Sequence, residues 1–152
     1  MPTQPSLPRL VGINHVALEV GDIEQALAFY GKIFSFTLRG RGKGQAFIDM
    51  GDQFLALTEI KEPLQDRQRH FGLVVDDRAR VRELAQAAGA QMVDGPFLDF
   101  LDPWGNRIEV VGYADIQFSK APQVLRGMQF DGIKSDKAKQ ELADKGMAAD
   151  GA

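Results

Sequence analysis

The chain contains two histidines, and both open the same pattern, H-x-x-L-x-V-x-D. The first copy runs His15-Val16-Ala17-Leu18-Glu19-Val20-Gly21-Asp22, the second His70-Phe71-Gly72-Leu73-Val74-Val75-Asp76-Asp77. Read as strands, each sends its histidine to one face and an apolar trio (Val16, Leu18, Val20; Phe71, Leu73, Val75) to the other. A carboxylate joins them late in the chain: Glu109 lies between Ile108 and Val110, and alternation turns it away from both. Two imidazoles and one carboxylate make the ligand set of a facial triad, which suits Fe(II), Mn(II), Zn(II) or Ni(II) and leaves positions open for substrate or water. That geometry requires the two units to face each other. A lone histidine near a strand start is more often a hydrogen-bonded structural residue, but matched repeat positions and a carboxylate of suitable parity favour a divalent metal here.

The elements that must carry these residues repeat as well, so the chain reads as two copies of one β-α-β-β-β unit, an α+β fold. After a strand from Leu10 to Val20, Asp22 and Gln25 form a capping box for a helix with Ile23, Ala26, Leu27, Tyr30, Ile33 and Phe34 at helical spacing. A short strand from Phe36 to Arg39 gives way to Gly40-Arg41-Gly42-Lys43-Gly44, expected as an irregular cationic loop. Strands Gln45 to Met50 and Phe54 to Ile60 complete unit one, and Glu62 to Gln68 is the linker. Unit two has a helix from Arg78 to Ala88 stopped by Gly89, then strands at Gln91 to Val93, Phe97 to Leu101 and Arg107 to Tyr113. Asp102-Pro103-Trp104-Gly105-Asn106 is a strong turn signal. Beyond Tyr113, stretches at Ala121 to Met128 and Asp136 to Lys145 read as peripheral helices of an extension over residues 114–152. The proline-rich residues 1–9 read as an extended or disordered arm.

Composition narrows the partners. A chain of 152 residues fits one domain. A net charge of -3 gives no basic surface for nucleic acid or anionic membranes. Without cysteine there is no disulfide, thiolate ligand or cysteine nucleophile. No run is long and apolar enough to span a membrane, and the N-terminus lacks a secretory signal, so a soluble cytoplasmic protein acting on a small molecule is expected.

Three segments together carry a family resemblance: Ile13-Asn14-His15-Val16-Ala17-Leu18 with Ala28-Phe29-Tyr30, His70 to Asp76, and Asp102-Pro103-Trp104-Gly105-Asn106-Arg107-Ile108-Glu109. From Leu10 to Tyr113 the chain resembles the vicinal oxygen chelate superfamily, which includes glyoxalase I, extradiol dioxygenases, fosfomycin-resistance thiol transferases and bleomycin-binding proteins. The resemblance implies paired β-α-β-β-β modules (10–61 and 69–113) curled as a mixed sheet around a concave site, usually in a homodimer, with His15, His70 and Glu109 at the metal-ligand positions. It also implies bidentate chelation of an oxygen-rich substrate to the metal, in lyase, isomerase or dioxygenase chemistry. An orthodox glyoxalase I is disfavoured because Ala56 stands where that branch carries a fourth ligand, and Glu59 has the opposite parity. Extradiol dioxygenases place a further histidine near the substrate, but both histidines here are taken by the ligand set. Fosfomycin transferases have a longer insertion where this chain has only Asp94-Gly95-Pro96, and a threonine where it has Ala17. The alternative is a non-catalytic drug-binding protein of the bleomycin-resistance kind.

Around the triad, Phe47, Phe54 and Phe100 are candidates to line an apolar pocket with Ala56, though strand phenylalanines more often pack in cores. Trp104 could stack on a planar ligand, or equally cover the core or a dimer contact. Arg107 shares the parity of Glu109 and is expected to pair with a neighbouring carboxylate rather than bind an anion.

Overall fold

The computed structural model describes residues 13–149, so the arm at residues 1–9 and the expected strand start at Leu10 lie outside the described residues. Module one contains β1 (His15–Val20), α1 (Ile23–Gly31), β2 (Leu38–Gly42), β3 (Gln45–Asp49) and β4 (Phe54–Glu59). Module two contains β5 (Phe71–Val75), α2 (Arg78–Ala87), β6 (Gln91–Val93), β7 (Leu98–Leu101) and β8 (Arg107–Gly112). Each module closes its own four-stranded mixed sheet, in the orders β1-β4-β3-β2 and β5-β8-β7-β6, so the chain is α+β with paired mixed-sheet modules. In both, the last strand returns parallel to the first, His15 opposite Phe54 and Gly72 opposite Glu109.

Local chemistry accounts for the helices. Asp22 accepts the Gln25 N–H and Asp77 the Arg80 N–H, so each repeat's aspartate caps its helix. The α1 helix ends at Gly31, short of the expected Phe34, with the Ile33 and Phe34 N–H groups turning back to Tyr30 O. The expected glycine-rich loop is a correction: Gly40–Gly42 belongs to β2, and Arg41 and Gly42 pair with Ala46 and Gln45. Glycine is tolerated there because β2 is an edge strand supported on one side only.

The apolar faces of both sheets share one core. Leu18, Val20, Ala26, Phe29, Tyr30 and Leu57 from module one meet Leu73, Val81, Leu98, Phe100, Ile108 and Val110 from module two. The Asp102 turn then ties the modules by polar contacts. The Tyr30 hydroxyl of α1 donates to Asp102 Oδ2 at 2.7 Å, and Asn106 Nδ2 donates to Glu19 O of β1 at 2.8 Å. Burial raises the Tyr30 pKa well above its ordinary value, and the Asp102 charge adds to that.

The extension adds a 3-10 turn at Tyr113–Asp115, α3 (Pro122–Gly127) and α4 (Asp136–Asp144). Lys134 pins it: its ammonium donates to the Tyr113, Ile116 and Phe118 carbonyls and sits 3.5 Å from the Tyr113 ring centroid.

Candidate metal centre

Because the apolar face of each sheet is spent on the shared core, the opposite face is left for chemistry. On module one that face carries His15, Ala17 and Glu19 of β1, Phe54, Ala56 and Thr58 of β4, and Phe47 and Asp49 of β3, as the strand register requires. On module two it carries Gly72, Glu109, Arg107 and Asp99.

His70 directly precedes β5, and its Nε2 lies 3.3 Å from Glu109 Oε2. Its Nδ1 is 2.8 Å from Gln68 O, and a carbonyl can only accept, so Nδ1 carries the hydrogen. The neutral ring then presents a bare Nε2 to a carboxylate oxygen. Two acceptors in that position repel unless a cation joins them, either a proton on the ring or a metal ion. On the other module His15 Nδ1 is likewise engaged by an oxygen, 2.9 Å from Asn14 Oδ1, and among the described residues its Nε2 has no hydrogen-bond partner. A histidine whose second nitrogen is held by an oxygen acceptor is oriented as metal ligands commonly are.

His15 and His70 line one cleft of about 840 Å³, with Gln53, Phe54, Phe118 and Ser119 among its walls. The structure thus brings His70 and Glu109 into contact and leaves His15 on the other module. Among the described residues, no three His, Cys, Asp or Glu side chains converge closely enough to hold an ion. A second, mostly apolar cavity of about 350 Å³ lies between the modules beside α3 and contains none of the candidate ligands.

The remaining candidates separate by face. Phe47 and Phe54 stand on the outward face, their rings edge to face at 5.8 Å, and His15 stacks on Phe54 at 4.7 Å. Ala56 is on the same face between Ala17 and Phe47, so no fourth ligand arises there. Glu59 instead accepts the Ile23 N–H at the start of α1. Phe100 is a correction: it is fully buried, pairs with Ile108 and belongs to the core, because alternation on β7 turns residues 98 and 100 inward. Trp104 is half-buried and packs against the core, and a Cβ added at Gly21 would lie 2.5 Å from its Nε1.

Arg107 reaches Asp99 Oδ2 through Nε and Nη2, each at 2.8 Å. Among the described residues, Asp99 Oδ1 is buried without a hydrogen-bond partner, on the strand position directly opposite Glu109. Such an oxygen is fitted to accept a hydrogen bond from a water beside the candidate ligand. Sequence reasoning passed over Asp99, although its alternation with Leu98 and Phe100 gives it the parity of Glu109. It also passed over Phe118 and Ser119, which reach the cleft only because the extension folds back.

The model of the Glyoxalase/Bleomycin resistance protein/Dioxygenase superfamily matches residues 12–110. The chain is 24% identical over 113 residues to the glutathione transferase FosA of Serratia marcescens, covering 66% of this chain and 80% of that protein. It is 37% identical over 60 residues to the metallothiol transferase FosB of Lysinibacillus sphaericus, covering 39% of this chain and 43% of that one. Among solved structures, the fosfomycin resistance protein FosX from Mesorhizobium loti superposes with a TM-score of 0.57 at 19% identity, over 67% of this chain and 92% of that one, a likeness of fold.

Proposed function

Since the chain belongs to the glyoxalase/bleomycin resistance/dioxygenase superfamily, we propose that it is a metal-dependent enzyme whose His15, His70 and Glu109 hold one divalent ion, Fe, Mn, Ni or Zn. A small oxygen-rich substrate would be held at that ion by neighbouring oxygens. The observation that carries this reading is the bare Nε2 of His70 facing the Glu109 carboxylate at 3.3 Å, an arrangement that calls for a cation. When bound, the ion supplies Lewis-acid polarisation of the substrate oxygens.

The chain's own residues do the rest. Gln68 O and Asn14 Oδ1 orient the two imidazoles. Phe47 and Phe54 form an apolar wall that limits water beside the substrate. Ala17 and Ala56 supply no acid-base group beside His15 and Phe47, and the carboxylates of that face are Glu19, two residues beyond Ala17, and Asp49, opposite Phe54. We favour attack by an external nucleophile over the isomerase or lyase chemistry expected from the sequence, in keeping with the transferase names of FosA and FosB.

We further read the ligand set as completed between two copies in a cytoplasmic homodimer. Strands β1 and β5 each lie at a sheet edge, and the faces bearing His15 and Glu109 point away from the shared core. The test is elemental analysis after chelator-free purification of wild type, His70→Ala and Glu109→Gln. About one ion per chain in wild type, lost in both variants, is expected. Metal-free wild type that is instead stabilised by apolar ligands would replace this reading with the non-catalytic binding protein.

A further inference from the structure

We propose that Arg39 recognises an anionic group, a carboxylate or related oxyanion, on the substrate that the metal chelates. This rests on the metal reading above and names the substrate class for that site.

The argument begins with a break in register. Along β2, Gly40 pairs with Phe47 and Leu38 pairs with Ile48, so two steps on β2 match one on β3 and Arg39 is the extra residue of a bulge. A bulge re-aims the side chain it carries. The Arg39 guanidinium lies 4.5 Å from the centroid of Phe54, the ring on which His15 stacks at 4.7 Å with planes 9° apart. A guanidinium and a candidate metal ligand therefore share one aromatic side chain on the outward face of module one.

The cation is also free to act. Among the described residues its guanidinium has no ion-pair or hydrogen-bond partner, whereas the neighbouring Arg41 is held by Glu24. The acid nearest in register is Asp49, opposite Phe54, and its Oδ1 is engaged by the Gly51 N–H at 2.7 Å. An arginine lying on an aromatic ring keeps its N–H fork available for two oxygens of an oxyanion. Arg39 and His15 belong to the same module, so the relation holds whichever copy supplies His70 and Glu109.

The test uses two chelators of equal shape, 3,4-dihydroxybenzoate and its neutral amide 3,4-dihydroxybenzamide, titrated calorimetrically into Mn(II)-loaded and metal-free protein. Wild type should bind the acid about tenfold more tightly than the amide, the usual scale for a charge-assisted pair at a partly exposed site. Arg39→Gln should abolish that preference while keeping amide affinity and melting temperature, and Arg39→Lys should retain part of it. No preference in wild type, or one that survives in Arg39→Gln, overturns the proposal. Failure of wild type to take up Mn(II) counts against the metal reading alone, because the acid-over-amide comparison in metal-free protein still decides whether Arg39 holds the anion.

Discussion

Truncating Asp102 to alanine tests how the two modules are held in one frame. Asp102 is 4% exposed. Its Oδ1 accepts the Trp104 and Asn106 N–H groups at 2.9 Å, and its Oδ2 accepts the Tyr30 hydroxyl at 2.7 Å and Asn106 Nδ2 at 2.8 Å. Asn106 Nδ2 has a second acceptor in Glu19 O, so Asp102→Ala leaves the Tyr30 hydroxyl and two backbone N–H groups without partners in a buried turn. At about 1–3 kcal/mol for each, less what entering water restores, the loss should be about 3–5 kcal/mol, a large fraction of a domain's stability. Tyr30→Phe removes one donor and leaves Oδ2 bonded to Asn106, so it should cost only about 1 kcal/mol. Asp102→Asn keeps an acceptor for the backbone but turns an NH₂ toward Asn106, which places it between the two, at about 2 kcal/mol. Urea unfolding followed both by circular dichroism and by the fluorescence of Trp104, the chain's single tryptophan, measures the series. The Tyr30→Phe/Asp102→Ala double variant should be no less stable than Asp102→Ala alone, because the two residues share one contact. Equal costs across the series, or simple additivity in the double variant, would refute this account.

The remaining expectations concern pH, backbone and assembly. Because the folded state raises the Tyr30 pKa above the ordinary 10.0, the stability it contributes is complete below that pH and is lost as pH rises toward the folded value. An alkaline melting series should therefore fall more steeply for wild type than for Tyr30→Phe. Gly105 has φ +88°, and a Cβ there would lie 2.7 Å from Gln65 Cα, which cannot swing aside, so Gly105→Ala should cost about 2–4 kcal/mol by chemical denaturation. At Gly21 the obstacle is the Trp104 side chain, which can rotate, so Gly21→Ala should cost less and shift Trp104 emission to the red. Finally, refolding an equal mixture of His15→Ala and Glu109→Gln should restore metal to about a quarter of all sites if ligands are shared between copies, since random pairing makes half the dimers mixed and each of these has one intact site. No recovery would place the complete site within one chain.

Much of this architecture was legible in the sequence because its determinants are local. The H-x-x-L-x-V-x-D repeat announced two modules, Asp22 and Asp77 announced their helices, and period-two alternation set His15, Ala56 and Glu109 on one face with Leu18, Leu57 and Val110 on the other. Alternation alone does not say what each face will meet. Phe100 was a candidate for a pocket, but the packing of module on module draws it into a shared core and lays Trp104 against that core, a contact between segments far apart in the chain. Arg107 found Asp99 through the β7–β8 register, and Phe118 entered the cleft through Lys134's hold on three carbonyls. The bulge that lays Arg39 on Phe54 follows from no local pattern at all, since a register slip is decided by the pairing of two strands and not by the residues of one. The residue types for the proposed metal centre were thus written in the chain, while the partner groups that orient and surround them came from tertiary contacts, which depend on long-range geometry.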